Sequence, residues 1–334
     1  MDKRLSVIIP GYNTPKAWWR RCVRSVLSAL CPNDEVICVD DGSKPPLERK
    51  QLECADDSRV KLVSLGTNLG QAEARNRGLE VAQGKYVTFV DSDDEVLPGI
   101  YDECLNASER TGADIVIFGV KVVWPQDGLY KVDMLPEEHF GIPSPHAVKK
   151  LYDACLLEYP VNKIYRRAFL DAHGIRFEPG ICPGEDTAFN LVCLTARATV
   201  TVIPNVGYVY YRMDGTTLSQ AYTNLRKTLV CRTELWRKYK DSHPGMREAL
   251  GSIGEYSEQA ILRNEWRNMW RRGSTIQWRS RWIFLKENPS VAQKPLALEF
   301  VCMVLYSFVR NYCYIRPIRR WNVKRNYPNA REMK

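Results

Sequence analysis

The chain has 334 residues, 45% apolar and 26% charged, which is enough to bury a sizeable core and excludes a disordered or fibrous protein. No run of about 18 or more uncharged apolar residues occurs, and the N-terminus stays apolar only from Leu5 to Pro10. Neither a spanning helix nor a signal peptide is therefore predicted, and the chain is expected to be cytoplasmic. The net charge of +9 hides a split: residues 261–334 hold 16 Lys or Arg against 4 Asp or Glu, leaving 32 against 35 in residues 1–260. The 11 cysteines form no C-x-x-C pair and lie mostly in apolar runs, which predicts reduced core thiols.

In chain order, the first 120 residues alternate β-branched apolar runs with helix-period segments, the pattern of a parallel sheet covered by crossover helices. Strands are predicted at Leu5–Pro10, Glu35–Val39, Val60–Leu65, Tyr86–Val90 and Ile115–Val123. Between the first two, Trp19, Cys22, Val23, Val26 and Leu30 recur at helical spacing. Pro98 is expected at the first position of a further helix, with Tyr101, Cys104, Leu105 and Ser108 on one face. Pro125, Pro136, Pro143 and Pro145 punctuate a stretch that reads as a long surface loop or a pair of short excursions. Phe189, Val192, Cys193 and Ala196 then mark a buried helix, followed by two strands at Thr199–Ile203 and Gly207–Tyr211. From Tyr222 onward the pattern is helical.

In open parallel sheets, ligands sit beyond the carboxyl ends of the strands. Three such ends are polar here: Gly11-Tyr12-Asn13, Asp40-Asp41-Gly42-Ser43 and Asp91-Ser92-Asp93-Asp94. One acidic strand end is explained by a turn or a helix cap. Three at one edge are not, and two carboxylates such as Asp91 and Asp93 facing one point need a hard divalent cation to relieve their repulsion. Competing motifs fail: Gly78 and Gly84 are separated by five residues where a P-loop has four, and neither G-x-G-x-x-G after a strand nor H-E-x-x-H occurs.

The runs Leu5-Ser-Val-Ile-Ile-Pro-Gly-Tyr-Asn13, Glu35-Val-Ile-Cys-Val-Asp-Asp-Gly-Ser43, Asn68-Leu-Gly-Gln-Ala-Glu-Ala-Arg75-Asn76 and Asp91-Ser-Asp93-Asp94 together resemble the family 2 glycosyltransferases of GT-A fold. A looser likeness continues through Asn162-Lys-Ile-Tyr165 and Gly184-Glu-Asp186 to Tyr210-Tyr-Arg212. The resemblance implies an α/β fold, a Rossmann-like, mainly parallel sheet flanked by helices, with a nucleotide-sugar half over 1–121 and an acceptor half over 122–220. It implies that Pro10, Tyr12, Asn13 and Asp41 hold the nucleotide base, that Arg75 lies near the diphosphate, and that Asp91 faces the ribose or the metal's waters. Asp93 would ligate Mg²⁺ or Mn²⁺. Asp186 would be the general base, with Glu185 and Arg212 in support. The His that many relatives carry after the last strand is absent, and Asp214 or a water is expected in its place.

Residues 221–334 lie outside the resemblance and are expected to form a helical, basic extension. Leu262, Trp266, Met269 and Trp270 would share one helix face beside Arg263, Arg267 and Arg271, and the run Phe300–Val309 is followed by Arg310, Arg316, Arg319, Arg320, Lys324 and Arg325. Trp and Arg so arranged suit the surface of an anionic membrane, or packing on the catalytic domain. No nucleic-acid module is recognisable, so nucleic acid is not an expected partner. The combined expectation is a peripheral enzyme of the inner membrane face, moving a hexose or N-acetylhexosamine from a UDP-sugar to a surface polysaccharide or lipid-linked glycan. A sugar nucleotidyltransferase and an inert nucleotide-sugar-binding module are the alternatives.

Overall fold

A computed structural model describes residues 3–52, 56–179, 185–212 and 331–332. Asp214 and the tail segments expected to contact a membrane lie outside the described residues. Eleven strands form one mixed sheet: β1 (Leu5–Gly11), β2 (Glu35–Asp40), β3 (Val60–Ser64), β4 (Tyr86–Phe89), β5 (Glu95–Val96), β6 (Ile115–Trp124), β7 (Leu129–Asp133), β8 (Glu138–Gly141), β9 (Lys163–Arg166), β10 (Val200–Tyr211) and β11 (Arg331–Glu332). The order is β11-β7-β6-β9-β4-β1-β2-β3, with β10 paired to β5, β6 and β8. The segment β4-β1-β2-β3 is parallel throughout, whereas β9 runs antiparallel to both β4 and β6. β6 therefore points the same way as β4, and its pairing partner β10 does too. The expected boundary at 121/122 falls inside β6, and the sheet continues through both halves.

Among the described residues the α-helices are α1 (Lys16–Ala29), α2 (Gln71–Val81), α3 (Ile100–Thr111), α4 (Pro145–Asp153), α5 (Arg167–Ala172) and α6 (Glu185–Thr195). The apolar stripe predicted for α1 is the buried one, Trp19, Cys22, Val23 and Val26. Leu5, Val7, Ile8 and Ile9 are all fully buried, because helices cover both faces of a parallel segment and leave no solvent side for polar alternation. Cys22, Cys38, Cys104 and Cys193 are buried free thiols, as expected.

Three readings change. The helix expected to start at Pro98 starts at Ile100, since β5 pairs with β10 and the chain turns through Pro98 and Gly99, the latter at φ 82°. The two strands expected between 199 and 211 are one, β10, whose register with β6 shifts between Val202 and Tyr208 around Pro204. The proline-rich stretch resolves into β7, β8 and α4, whose Ser144 accepts a hydrogen bond from the Ala147 N–H as its N-cap. Among the described residues no helix is long and apolar enough to cross a membrane.

Candidate active site

The carboxyl ends of β1, β2 and β4 lie side by side, so the three polar strand ends do converge. Their loops fasten to one another. The Asn13 N–H donates to Ser43 Oγ at 2.9 Å, the Lys44 N–H donates to Asn13 Oδ1 at 2.8 Å, and the hydroxyls of Thr14 and Ser92 are 2.8 Å apart. Asp40 is fully buried, and its carboxylate accepts from the backbone N–H groups of Ser43 and Leu47. Asp41 accepts from Leu69 N at 2.7 Å and Gly70 N at 2.9 Å, which ties the β2 loop to the start of α2. Gly42 is needed there: its φ is 75°, and a Cβ would meet the Thr67 backbone at 2.3 Å. Pro10 is buried in β1, while Tyr12 at the mouth is 48% exposed.

Helix α2 follows Gly70, its N-cap at φ 94°, and lies close on β1, where a Cβ at Gly78 would meet Ile8 Cγ2 at 2.3 Å. That approach carries Arg75 under the end of β4. The Arg75 side chain is fully buried; Nη2 donates to Asp91 Oδ1 at 3.0 Å, Nη1 to Asp186 Oδ1 at 2.5 Å, and Glu185 Oε1 is 3.8 Å from Nη1. Its guanidinium carbon also sits 5.1 Å from the centroid of the Phe177 ring. The Arg75 guanidinium faces three carboxylates and is closed to solvent, which makes it an internal tie at the site. Asn76 adds a second tie, its amide exchanging two hydrogen bonds of 2.9 Å with the backbone of Phe177.

Asp91 also accepts from Gln71 Nε2 at 2.9 Å, and only its Oδ1 is engaged among the described residues. Burial, then the neighbouring Asp91 charge, pushes Asp93 up to about 6. A buried carboxyl that resists ionising beside the Asp91 charge fits a hard cation that keeps phosphate and water oxygens as its other ligands. Among the described residues no group of three or more His, Cys, Asp or Glu side chains gathers to cage a metal. Asp91 and Asp93 are thus the protein's candidate share. The loop is fixed from beneath by residues that sequence reasoning passed over. Tyr208 O–H donates to fully buried Asp94 at 2.7 Å and accepts from Asp91 N at 3.1 Å, and Arg21 donates to the Asp93 carbonyl. The only signals for them were the fourth residue of Asp91-Ser-Asp93-Asp94 and the alternation of Tyr208, Val209 and Tyr210.

Asp186 opens α6 beside Glu185, as expected. Burial lifts its carboxyl above the usual carboxylate range, Arg75 opposes that shift, and the charges of Glu185 and Asp91 add to it. Arg212 reaches the site edge at the end of β10, its N–H donating to the Val123 carbonyl at 2.8 Å.

Arg75→Met should cost about 2 kcal/mol of stability at pH 8, less than the roughly 3–5 of a fully enclosed pair because Asp91 and Asp186 keep some water. Without the guanidinium, which opposes the rise, the folded-state Asp186 carboxyl titrates still further above its unfolded value, so the folded variant binds more protons and recovers stability as pH falls. Urea unfolding should therefore give a smaller loss at pH 5 than at pH 8, and equal losses would assign Arg75 to packing alone.

Comparison with known proteins agrees with this geometry. The chain is 29% identical over 177 residues to the putative glycosyltransferase EpsH of Bacillus subtilis, covering 52% of this chain and 50% of that protein. It is 27% identical over 219 residues to the succinoglycan biosynthesis protein ExoO of Rhizobium meliloti, covering 63% and 61%. The chain thus spans about half or somewhat more of the length of these relatives. The crystal structure of S. aureus TarS 1–349 in complex with UDP-GlcNAc superposes with a TM-score of 0.58 at 21% identity, over 80% of this chain and 72% of that one, a likeness of GT-A fold. The family model for glycosyl transferase family 2 matches residues 6–174, half of the chain, and the chain belongs to that family.

Proposed function

We propose that the protein transfers a hexose or N-acetylhexosamine from a UDP-sugar to a hydroxyl of a surface polysaccharide or lipid-linked glycan, inverting the anomeric centre. The observation that carries this reading is the Arg75 tie, which holds a proton acceptor, Asp186, and a cation-competent carboxylate, Asp91, on one buried guanidinium. Relatives named for glycosyl transfer and succinoglycan biosynthesis, and a fold neighbour holding UDP-GlcNAc, support the substrate class.

In this reading the base lies against the exposed Tyr12 ring, within the turn Pro10–Asn13, and accepts support from Asp41 through lone pairs that the backbone bonds leave over. Asp91 and Asp93 would hold Mg²⁺ or Mn²⁺, which supplies charge opposite the departing diphosphate. Asp186 takes the proton from the acceptor hydroxyl as that oxygen bonds to the anomeric carbon, while the bond from that carbon to the diphosphate breaks on the other side. A carboxyl lifted to about 8 is a stronger base than an exposed one, and it becomes available as a proton acceptor as pH rises through that value. A sugar nucleotidyltransferase would need a Gly-rich, cationic loop after β1, whereas Gly11–Lys16 has neither feature. The retained base and carboxylate pair disfavour an inert binding module.

For the remainder of the chain we keep the reading of a membrane-surface contact at the inner face, because residues 261–334 combine 16 basic residues with five of the nine tryptophans.

Asp186→Asn keeps the shape but cannot accept the proton, so transfer should fall by about 10² or more while UDP affinity stays within about twofold. In the unaltered protein the acid limb of the rate should lie above the ordinary carboxylate pKa of about 4, because the base is inactive when protonated and its pKa is raised; a limb at or below that value removes Asp186 as the base. Asp93→Ala should abolish the Mn²⁺ dependence of UDP-sugar binding measured by calorimetry, and undiminished dependence removes the metal assignment. The full chain should cosediment with phosphatidylglycerol vesicles and release as salt rises, given about 1 kcal/mol per basic residue near an anionic surface; equal partitioning to phosphatidylcholine would exclude the electrostatic contact.

A further inference from the structure

Between α4 and β9 the chain is held in a way that proton transfer and donor binding do not require. The carbonyls of Leu156, Leu157 and Tyr159 all turn inward onto two buried side chains. Lys163 Nζ donates to Leu156 O at 2.6 Å, to Asn162 Oδ1 at 2.7 Å and to Tyr159 O. Asn190 Nδ2 donates to Leu157 O at 2.8 Å and to Tyr159 O at 3.1 Å, and its Oδ1 accepts from the Tyr165 hydroxyl at 2.6 Å. Lys163 is 1% exposed and makes no ion pair among the described residues, so these three oxygens use its whole donor set. Burial pulls its ammonium down to about 7. A segment that merely connected a helix to a strand would leave such carbonyls to water.

The clamp also places the loop. Asn190 follows Asp186 by four residues and so shares its face of α6. On the other side the Tyr159 ring is 5.9 Å from the Tyr210 ring, tilted by 52°. Tyr210 lies two residues past the Tyr208 that supports Asp91 and Asp94, and the charges of Asp94, Asp91 and Asp93 all reach its hydroxyl. The ring pair thus lies between the helix of the base and the strand end of the carboxylate pair, and both rings are partly open to solvent.

We propose that Tyr159, backed by Tyr210, is a platform for a pyranose ring of the acceptor, with Lys163 and Asn190 as the positioning residues that hold it beside Asp186. A pyranose offers an apolar C–H face and a rim of hydroxyls; an aromatic ring with a polar handle meets both. Burial raises the Tyr159 phenol well above its ordinary pKa, so it presents an O–H at any physiological pH. The platform rests on the glycosyltransferase reading given above, and its test separates the two.

The test uses the full chain with Mn²⁺, a panel of UDP-hexoses and UDP-N-acetylhexosamines, and p-nitrophenyl pyranosides as surrogate acceptors, reading the ratio of sugar transferred to sugar released into water. Tyr159→Ala should lower that ratio about tenfold while UDP affinity and donor hydrolysis stay within about twofold, and Tyr159→Phe should keep most of it. Lys163→Met should lower the ratio in the same direction, and Lys163→Arg should not restore it, since a planar fork cannot replace a three-donor point charge. A ratio in Tyr159→Ala within about twofold of the unaltered chain, or a comparable loss of UDP affinity, overturns the platform alone. A full chain that neither binds UDP nor hydrolyses any UDP-sugar removes the transferase reading and the platform with it.

Discussion

Arg75 brings together residues that the chain keeps far apart: Asp91 sixteen positions later, and Glu185 and Asp186 more than a hundred later. The interaction is asymmetric in charge. One guanidinium faces three carboxylates, and burial disfavours every ionised form there. Arginine alone can serve, because it keeps its proton at all accessible pH and its planar fork reaches two carboxylates at once. The excess of negative charge that remains would make the strand end receptive to a cation, and it adds to burial, the larger cause, in lifting Asp186 despite a guanidinium at 2.5 Å.

The tie depends on how α2 is anchored. Asp41 holds the two N–H groups at its start, Gly78 lets it rest on Ile8, and Asn76 grips the backbone of Phe177. Phe177 in turn stacks on Phe189 of α6 at 4.0 Å and meets Phe89 of β4 edge-on at 5.0 Å. The Arg-Asn pair in the third motif thus ties α2 to the Asp91 strand end, to Phe177 and to the start of α6. The rings of Phe89, Phe177 and Phe189 pack beside these ties, so a shift of α6 would disturb aromatic contacts as well as ion pairs.

The strands β1, β2 and β4 and their polar ends were legible, because a fully covered parallel strand reads as an unbroken β-branched run and its polar end stands out against it. The helix of Asp186 was legible from its apolar spacing. Arg75 was legible as a site residue through the third motif but its carboxylate partners were not, since they lie in other elements and an arginine in a helix otherwise reads as a solvated residue. Pro204 made one strand look like two, although the bulge passes it without losing the pairing on either side. The prolines at 136, 143 and 145 likewise read as loop signals, when they bound short elements instead of interrupting long ones.

Lys163 and Arg75 set two solutions to the same problem side by side. Arg75 is balanced by carboxylates, so its tie is ionic and would weaken only as those acids take up protons. Lys163 is balanced by carbonyl and amide oxygens, which supply hydrogen bonds without opposite charge, so its ammonium is destabilised and approaches discharge near neutrality. Even discharged, an amine keeps two N–H donors and can hold two of its three oxygens. Under the proposed transfer, the strand ends that would meet a charged donor are tied by ion pairs, and the loop that would meet an uncharged glycan is held by hydrogen bonds to carbonyl and amide oxygens. The titration of Asp186 is then set by its burial and by the charges of Arg75, Glu185 and Asp91, which would act on the proton it accepts under the proposed transfer.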